Sequence, residues 1–269
     1  MSAVGLTLTE LEWAFADIPQ LADCQPGDFQ VASLPGYTNR NFRLYNASED
    51  WILRLPRAQT NPYIDRVAEA HNQTLAHRLG LAPQVVWRND AGATLTATLA
   101  NSRNLYPADL QDDLQLAMVV EPLQRLHRCG AQFIGGLDLR STLRQHFELL
   151  QPSQQTAFAT RMAQAERIMA LPDSDHPQAV PSHRDPVLAN LLLDERRLWL
   201  IDWEYSAMAS PYWDLAILCN EAGLDLAQSR RLLQAYCVGG PAMKESILFD
   251  YRGLLKLLND CWMAALVES

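Results

Sequence analysis

The stretch from residue 183 to residue 214 constrains the fold and the chemistry of this chain more than any other. Asp185 is followed five residues later by Asn190, and Asp202 comes twelve residues after that amide. Two short leucine-rich runs lie between Asn190 and Asp202, and the polar residues that separate them can form a turn. The pattern predicts a hairpin that brings the three side chains to one end. A carboxylate that can accept a proton, beside an amide and a carboxylate that can bind a divalent cation, is the arrangement that phosphoryl transfer uses.

The motifs in this stretch resemble those of the protein-kinase-like superfamily. The sequence HRDPVLAN, which begins at His183, matches the signature H-R-D-x-x-x-x-N in full. The segments IDWEY, which holds Asp202, and PYWDLA, which holds Asp214, are similar to the small-molecule branch of that superfamily. This branch comprises aminoglycoside phosphotransferases, choline and ethanolamine kinases and bacterial thiamine kinases. No A-P-E motif follows, which argues against a protein kinase.

The resemblance implies a role for each polar residue of these motifs. Asp185 would accept a hydrogen bond, and then the proton, from the hydroxyl group of a substrate. Asn190 and Asp202 would bind Mg²⁺, which prefers carboxylate and phosphate oxygens. Three further residues would hold the loop in shape rather than contact the substrate: His183, Arg184 and Asp214.

Apolar segments in the first hundred residues predict a five-stranded antiparallel sheet. Turn-forming residues separate these segments, which lie at 29–34, 41–45, 51–55, 83–87 and 93–98. A helix is predicted over 7–18. A second helix is predicted over 61–79, with Asn61 as its cap and Pro62 in its first turn.

The rest of the chain is predicted to be mainly helical apart from the hairpin. Helical periodicity and stop signals place these helices at 109–129, 141–150, 152–171, 210–222, 224–238 and 241–267. Together with the resemblance, this pattern predicts an α+β, bilobal, protein-kinase-like fold. Residues 1–100 would form a nucleotide-binding N-lobe, and residues 101–269 a C-lobe that carries the catalytic and substrate-binding groups.

The resemblance also implies which residues would bind ATP. Thr38 and Asn39 lie in a loop that would cover the phosphates, whereas without the resemblance an ordinary hairpin loop is the preferred interpretation of that sequence. Arg54 stands where related kinases place a phosphate-binding basic residue, and a guanidinium can pair with phosphate oxygens at two points. Glu69, or as a second choice Asp65, would pair with Arg54. The simpler alternatives are a surface arginine and an exposed helix carboxylate.

Aromatic residues near the predicted site indicate how a cationic substrate could be bound. Tyr205 corresponds to a residue of the choline pocket in the related kinases, and Trp262 lies on the last helix, where those kinases also place pocket tryptophans. Aromatic faces attract quaternary ammonium and thiazolium ions. Glu204 is a further candidate for contact with a cationic substrate or a metal. Trp203 and Trp213 fit the C-lobe core better than the pocket.

Composition limits the partners and the location of the protein. A net charge of −9 and a pI of about 5.1 do not suit a nucleic-acid-binding protein. The five cysteines are scattered without a C-x-x-C pair, which predicts reduced thiols in a cytoplasmic protein. The amino terminus lacks signal-peptide features and no apolar run of about 18 residues occurs, so no membrane association is expected. The oligomeric state is left open.

We therefore predict an ATP- and Mg²⁺-dependent kinase that phosphorylates the hydroxyl of a small, cationic alcohol such as choline. Thiamine is the nearest alternative substrate, and an aminoglycoside or a sugar is a more distant one. The alternative outside enzymology is a pseudokinase-like binding module. The intact Asp185, Asn190 and Asp202 argue against that module, whereas the unusual phosphate loop and lobe connection at 98–102 argue for it.

Overall fold

A computed structural model describes residues 7–36, 38–58, 64–136, 138–170 and 178–266. All five predicted strands are present, with bounds within two residues of the prediction: β1 (Gln30–Leu34), β2 (Asn39–Tyr45), β3 (Asp50–Pro56), β4 (Val85–Arg88) and β5 (Thr94–Ala97). They form one antiparallel sheet in the order β1-β2-β3-β5-β4. The turn between β2 and β3 is closed by Asn46, whose Oδ1 accepts hydrogen bonds from the amides of Ser48 and Glu49.

Strand alternation divides this sheet into an apolar face and a face that lines a cleft. Phe42, Leu44 and Leu53 are at most 1% exposed and share a core with helix α1 (Leu8–Asp17). Side chains next to these in sequence point to the opposite face of the sheet. Arg43 and Arg54 therefore face the cleft, and both line it.

Helix α2 (Arg66–Arg78) connects β3 to β4 and begins later than predicted. Its N-cap is Asp65, whose carboxylate accepts hydrogen bonds from the amides of Val67 (3.1 Å) and Ala68 (2.9 Å). Asp65, the second choice as partner of Arg54, caps this helix, and Arg54 pairs with the first choice, Glu69. The predicted cap at Asn61 and Pro62 lies outside the described residues.

Helices dominate the second half of the described chain. They are α3 (Asp113–His127), α4 (Leu139–Glu148), α5 (Pro152–Met169), α6 (Pro211–Glu221), α7 (Leu226–Cys237) and α8 (Glu245–Leu266). The predicted start of α3 at residue 109 is wrong, because a separate 3-10 turn occupies 107–111 and Asp112 then caps the helix. The predicted start of α8 at residue 241 is likewise four residues early.

Short strands complete the C-lobe and connect it to the N-lobe. The predicted hairpin is present as β8 (Leu191–Leu193) and β9 (Leu198–Leu200), and the connecting segment adds strand β6 (Arg103–Asn104) to its edge. The predicted boundary after residue 100 falls between β5 and β6. Strand β7 (Val180–Ser182) pairs with β10 (Ala207–Ala209). The α+β architecture with a five-stranded sheet and a helical C-lobe is thus confirmed. No helix within the described ranges is long and apolar enough to cross a bilayer.

Candidate active site

The loop after β7 is held by a buried carboxylate. Both backbone amides of His183 and Arg184 donate to Asp214 on α6, over 2.9 and 2.7 Å. His127 at the end of α3 donates from Nε2 to the same carboxylate over 2.9 Å. Burial raises the pKa of Asp214, but the hydrogen bonds from His127 and the loop amide outweigh burial and lower it overall. Asp214 is therefore an anion that fixes the loop, and Arg184 adopts a left-handed backbone conformation there (φ 65°).

His183 links this loop to the segment that carries Asp202. Its side chain is fully buried, and burial lowers its pKa, so the ring is neutral and its Nε2 can donate to the carbonyl of Ile201 over 2.9 Å. The ring also contacts Trp203, with 4.6 Å between centroids. Asp202, which follows Ile201, has a left-handed backbone conformation (φ 63°) that is uncommon for aspartate and is found at functional sites.

The hairpin brings Asn190 against Asp185. Asn190 donates from Nδ2 to the Asp185 carboxylate over 2.9 Å and to the Asp185 carbonyl over 3.0 Å. The backbone carbonyl of Asn190 accepts a hydrogen bond from the backbone amide of Ile201, which precedes Asp202. The two hydrogen bonds to Asp185 use the side-chain nitrogen of Asn190. They do not involve its Oδ1 atom, which carries the lone pairs that a metal requires.

Arg54 on β3 joins the two lobes at the same point. Its guanidinium forms a close ion pair with Glu69 on α2 and donates to Asp202 Oδ1 over 3.2 Å. Glu69 has a fully buried side chain, which explains why it must be paired. Arg54 and Glu69 thus lie together, and their predicted role in phosphate binding stays a prediction.

Glu204 has a different environment from the one expected of a substrate ligand. Its side chain is 1% exposed, accepts a hydrogen bond from Asn39 Nδ2 over 2.9 Å and lies 3.6 Å from Arg66 Nη1. Asn39 also donates to the hydroxyl of Thr38, so the predicted phosphate loop is tied to the C-lobe through Glu204. The Glu204 Oε2 atom is therefore committed to internal partners.

An interlobe cleft has a volume of about 2040 Å³. It is lined by Asp185, Asn190, Asp202 and Arg54. Its walls include both predicted aromatic substrate residues, Tyr205 and Trp262. Trp262 packs against His146 of α4, with ring centroids 5.1 Å apart. Trp203 and Trp213 are nearly inaccessible, as expected of core residues, and Trp213 also borders the cleft. Burial, followed by the nearby Glu204 carboxylate, raises the pKa of Tyr205, so its phenol remains neutral.

Glu221 is a cleft residue that sequence reasoning missed. It is the last residue of α6 and is exposed, and its side chain makes no hydrogen bond or ion pair with any residue in the described ranges. Its carboxylate is near enough to Asp185 to contribute to the raised pKa of that group. The available signal was its spacing of seven residues from Asp214, which places both side chains on one face of a helix. Arg66 was also missed, although it lies one helical turn before Glu69.

The charges at the site suit a divalent cation. Burial, then the carboxylates of Asp202 and Glu204, raise the pKa of Asp185 well above its ordinary value. Burial and Glu204 likewise raise the pKa of Asp202, and Arg54 opposes this rise. The described residues contain no cluster of three or more His, Cys, Asp or Glu side chains that could hold a metal alone. One carboxylate and one amide, completed by phosphates and water, match the way Mg²⁺ is bound in kinases.

Comparisons with known proteins agree with this geometry. The family model described as Phosphotransferase enzyme family matches residues 31–246. Protein LicA of Haemophilus influenzae is 32% identical over 212 residues, which cover 77% of this chain and 62% of that protein, so the match spans less than two thirds of that relative.

Two solved structures have the same fold. A choline/ethanolamine kinase family protein from Mesorhizobium loti has a TM-score of 0.78 and 27% identity, covering 97% of this chain and 86% of that one. Choline kinase LicA from Streptococcus pneumoniae has a TM-score of 0.79 and 22% identity, covering 89% of this chain and 85% of that one.

Proposed function

The chain belongs to the phosphotransferase enzyme family, and we propose that it is an ATP- and Mg²⁺-dependent kinase of a small cationic alcohol, with choline as the first candidate. The observation that carries the proposal is the contact of Asp185 with Asn190, beside Asp202 and Arg54, within one interlobe cleft. This arrangement provides a base, two oxygen ligands for a metal and a cation for phosphate. The choline kinase-like relatives support the substrate class.

Residues of both lobes would bind the nucleotide and the metal. Arg54 would pair with phosphate oxygens, while Glu69 holds its guanidinium in place. Backbone amides of the loop before β2, with Thr38 and Asn39, would cover the phosphates. Asn190 and Asp202 would hold Mg²⁺, which neutralises charge that develops on the phosphoryl oxygens.

Asp185 would orient the substrate hydroxyl and receive its proton. Asn190 holds Oδ2 of this carboxylate, so Oδ1 is left to accept a hydrogen bond from the alcohol. As the alcohol oxygen bonds to the γ-phosphorus, the bond from that phosphorus to the bridging oxygen breaks and ADP leaves. The alcohol proton would pass to the carboxylate of Asp185, which acts as the general base.

The cleft also contains groups that suit a positive charge on the substrate. Glu221 is a carboxylate at the carboxyl end of α6, where the helix dipole adds further negative potential. The rings of Tyr205 and Trp262 line the same cleft and can attract a quaternary ammonium ion. Glu221 suits this role better than Glu204, because Glu204 is buried and already paired.

A substrate panel tests this proposal. Purified protein is incubated with Mg-ATP and choline, ethanolamine, thiamine or an amino sugar, and ADP and the phosphorylated product are both measured. We expect choline phosphate to form, and Asp185→Asn to abolish its formation. If no alcohol releases ADP faster than the Asp185→Asn control, the kinase proposal is wrong and a binding module becomes the better interpretation. Turnover of thiamine without choline would overturn the choline assignment alone.

A further inference from the structure

Arg66 joins carboxylates of both lobes through one guanidinium. It is the first residue of α2, and its side chain is only 11% exposed. Its Nη1 lies 2.7 Å from Glu69 Oε2 in the N-lobe and 3.6 Å from Glu204 Oε2 in the C-lobe. A buried guanidinium shared between two lobes is suited to fixing their relative position.

The contacts of Arg66 close a ring around the proposed metal ligand. The two carboxylate oxygens of Glu69 contact different arginines: Oε1 pairs with Arg54 and Oε2 pairs with Arg66. Arg54 then reaches Asp202 over 3.2 Å, and Glu204 follows Asp202 by two residues. Arg54, Glu69 and Arg66 thus each contact two other side chains of this ring.

The side chain of Arg66 lies in a slot that the turn between β4 and β5 provides. A Cβ atom at Gly92 would lie 2.5 Å from both Cδ and Nε of Arg66, far inside van der Waals contact. Gly92 also has a φ of 88°, a conformation that favours glycine. The turn thus permits the arginine to pass close to the backbone on its way to the two carboxylates.

We propose that Arg66 is a positioning residue for metal–nucleotide binding, which it supports by holding Glu69 and Glu204 so that Arg54 and Asp202 keep their places. The inference rests on the proposed function. Without this guanidinium, Glu69 would lose the partner of its Oε2 atom, and the one side-chain contact left to Glu204 among the described residues would be the Asn39 hydrogen bond. Repulsion between these carboxylates would then move Glu204, and with it the adjoining turn that carries Asp202.

Nucleotide binding measured by calorimetry tests this role without any alcohol substrate. The affinity for ADP is measured with and without Mg²⁺ in wild type, Arg66→Met, Arg66→Lys and the control Arg40→Met. Arg40 is also a partly buried N-lobe arginine, paired with Glu10 of α1 on the apolar-face side. We expect Arg66→Met to weaken ADP binding in Mg²⁺ by about 10- to 100-fold, the usual cost of losing a group that orients a metal ligand.

The two other variants separate positioning from stability. Arg66→Lys should recover part of the lost affinity, because an ammonium restores the charge but cannot reproduce the forked contacts of a guanidinium. Arg40→Met should lower the melting temperature while its Mg²⁺-dependent ADP affinity stays within about twofold of wild type, since the Arg40 side chain is paired with α1 and does not line the cleft.

Three results would overturn the inference about Arg66. The first is Mg-ADP affinity in Arg66→Met equal to that of wild type, and the second is an equal loss in Arg40→Met. The third result applies if Arg66→Met does not fold, in which case Arg66→Lys decides alone. An affinity of Arg66→Lys for Mg-ADP equal to that of wild type would then overturn the inference. Failure of the kinase proposal would be seen separately, as Mg-ADP binding by the wild type without turnover of any alcohol.

Discussion

Replacing Glu221 by glutamine tests whether the cleft recognises a positive charge. The substitution keeps the size and shape of the side chain and removes one negative charge at the end of α6. The Glu221 side chain has no hydrogen-bond or ion-pair partner among the described residues, so the change breaks no such contact there. Its effect should therefore be on substrate binding and not on folding.

The magnitude follows from the exposed position of this carboxylate. Two unit charges about 5 Å apart attract by about 0.8 kcal/mol in water and about 3 kcal/mol at the effective dielectric constant of a protein surface. Because Glu221 is exposed, a value of about 1–1.5 kcal/mol is appropriate, which corresponds to a factor of about 5 to 12. The helix dipole of α6 remains in the variant, so part of the negative potential persists.

Steady-state kinetics with a charged and an uncharged alcohol provide the assay. We expect KM for choline to rise about 5- to 12-fold in Glu221→Gln with little change in kcat, because a distant charge binds ground state and transition state alike. The uncharged carbon analogue 3,3-dimethylbutan-1-ol has the same shape, and its kcat/KM should change less than twofold. Added salt should reduce the choline effect.

The matched control is Glu148→Gln. Glu148 is also the exposed last residue of a helix, α4, but it does not line the cleft. An equal rise of KM in this control would show that net charge, and not the position of Glu221, is responsible. An equal loss for choline and its uncharged analogue in Glu221→Gln would refute charge recognition by this residue.

Three further variants test the rest of the site. Asp185→Asn should lower kcat by at least about 100-fold while Mg-ADP affinity measured by calorimetry changes little, because the base acts in the chemical step. Arg54→Lys should raise KM for ATP about tenfold, since one ammonium cannot serve Glu69 and phosphate together. Asp214→Asn should lower the free energy of unfolding at neutral pH. Because folding lowers the pKa of Asp214, its contribution is present above its ordinary pKa of 3.8 and disappears as pH falls through the folded value. The difference in denaturation midpoint between wild type and this variant should therefore shrink below about pH 4, and a constant difference would contradict this assignment.

Local sequence spacing was sufficient to predict the hairpin of β8 and β9 and the five-stranded sheet. Asn190 lies five residues from Asp185, and their contact needs only one turn of 3-10 helix between them. Strand periodicity is also a short-range property, so the bounds of β1 to β5 were close to those predicted. The family motif supplied the remaining information about Asp202.

Contacts between the lobes could not be predicted from sequence spacing. Arg54 lies 148 positions from Asp202, and Asn39 lies 165 positions from Glu204. Nothing local distinguishes Glu204, which is buried and paired, from Glu221, which is exposed in the same cleft. The predicted start of α2 was wrong for a related reason. Asn and Asp are both good helix caps, so residue type alone did not distinguish Asn61 from Asp65, and the hydrogen bonds made by Asp65 identify it as the cap.

The ion pair between Arg54 and Asp202 connects nucleotide binding to metal binding. The proposed function assigns phosphate to Arg54 and Mg²⁺ to Asp202, so either ligand alone would have to break this contact and leave the other member of the pair without it. Phosphate and metal together replace both partners at once. Their binding should therefore be positively coupled, and by linkage each should raise the affinity for the other by the same factor. The ring through Glu69, Arg66 and Glu204 would keep Arg54 and Asp202 in place while their ion pair separates. Loss of Arg66 should therefore weaken the coupling between phosphate and Mg²⁺ more than it weakens binding of ADP without Mg²⁺.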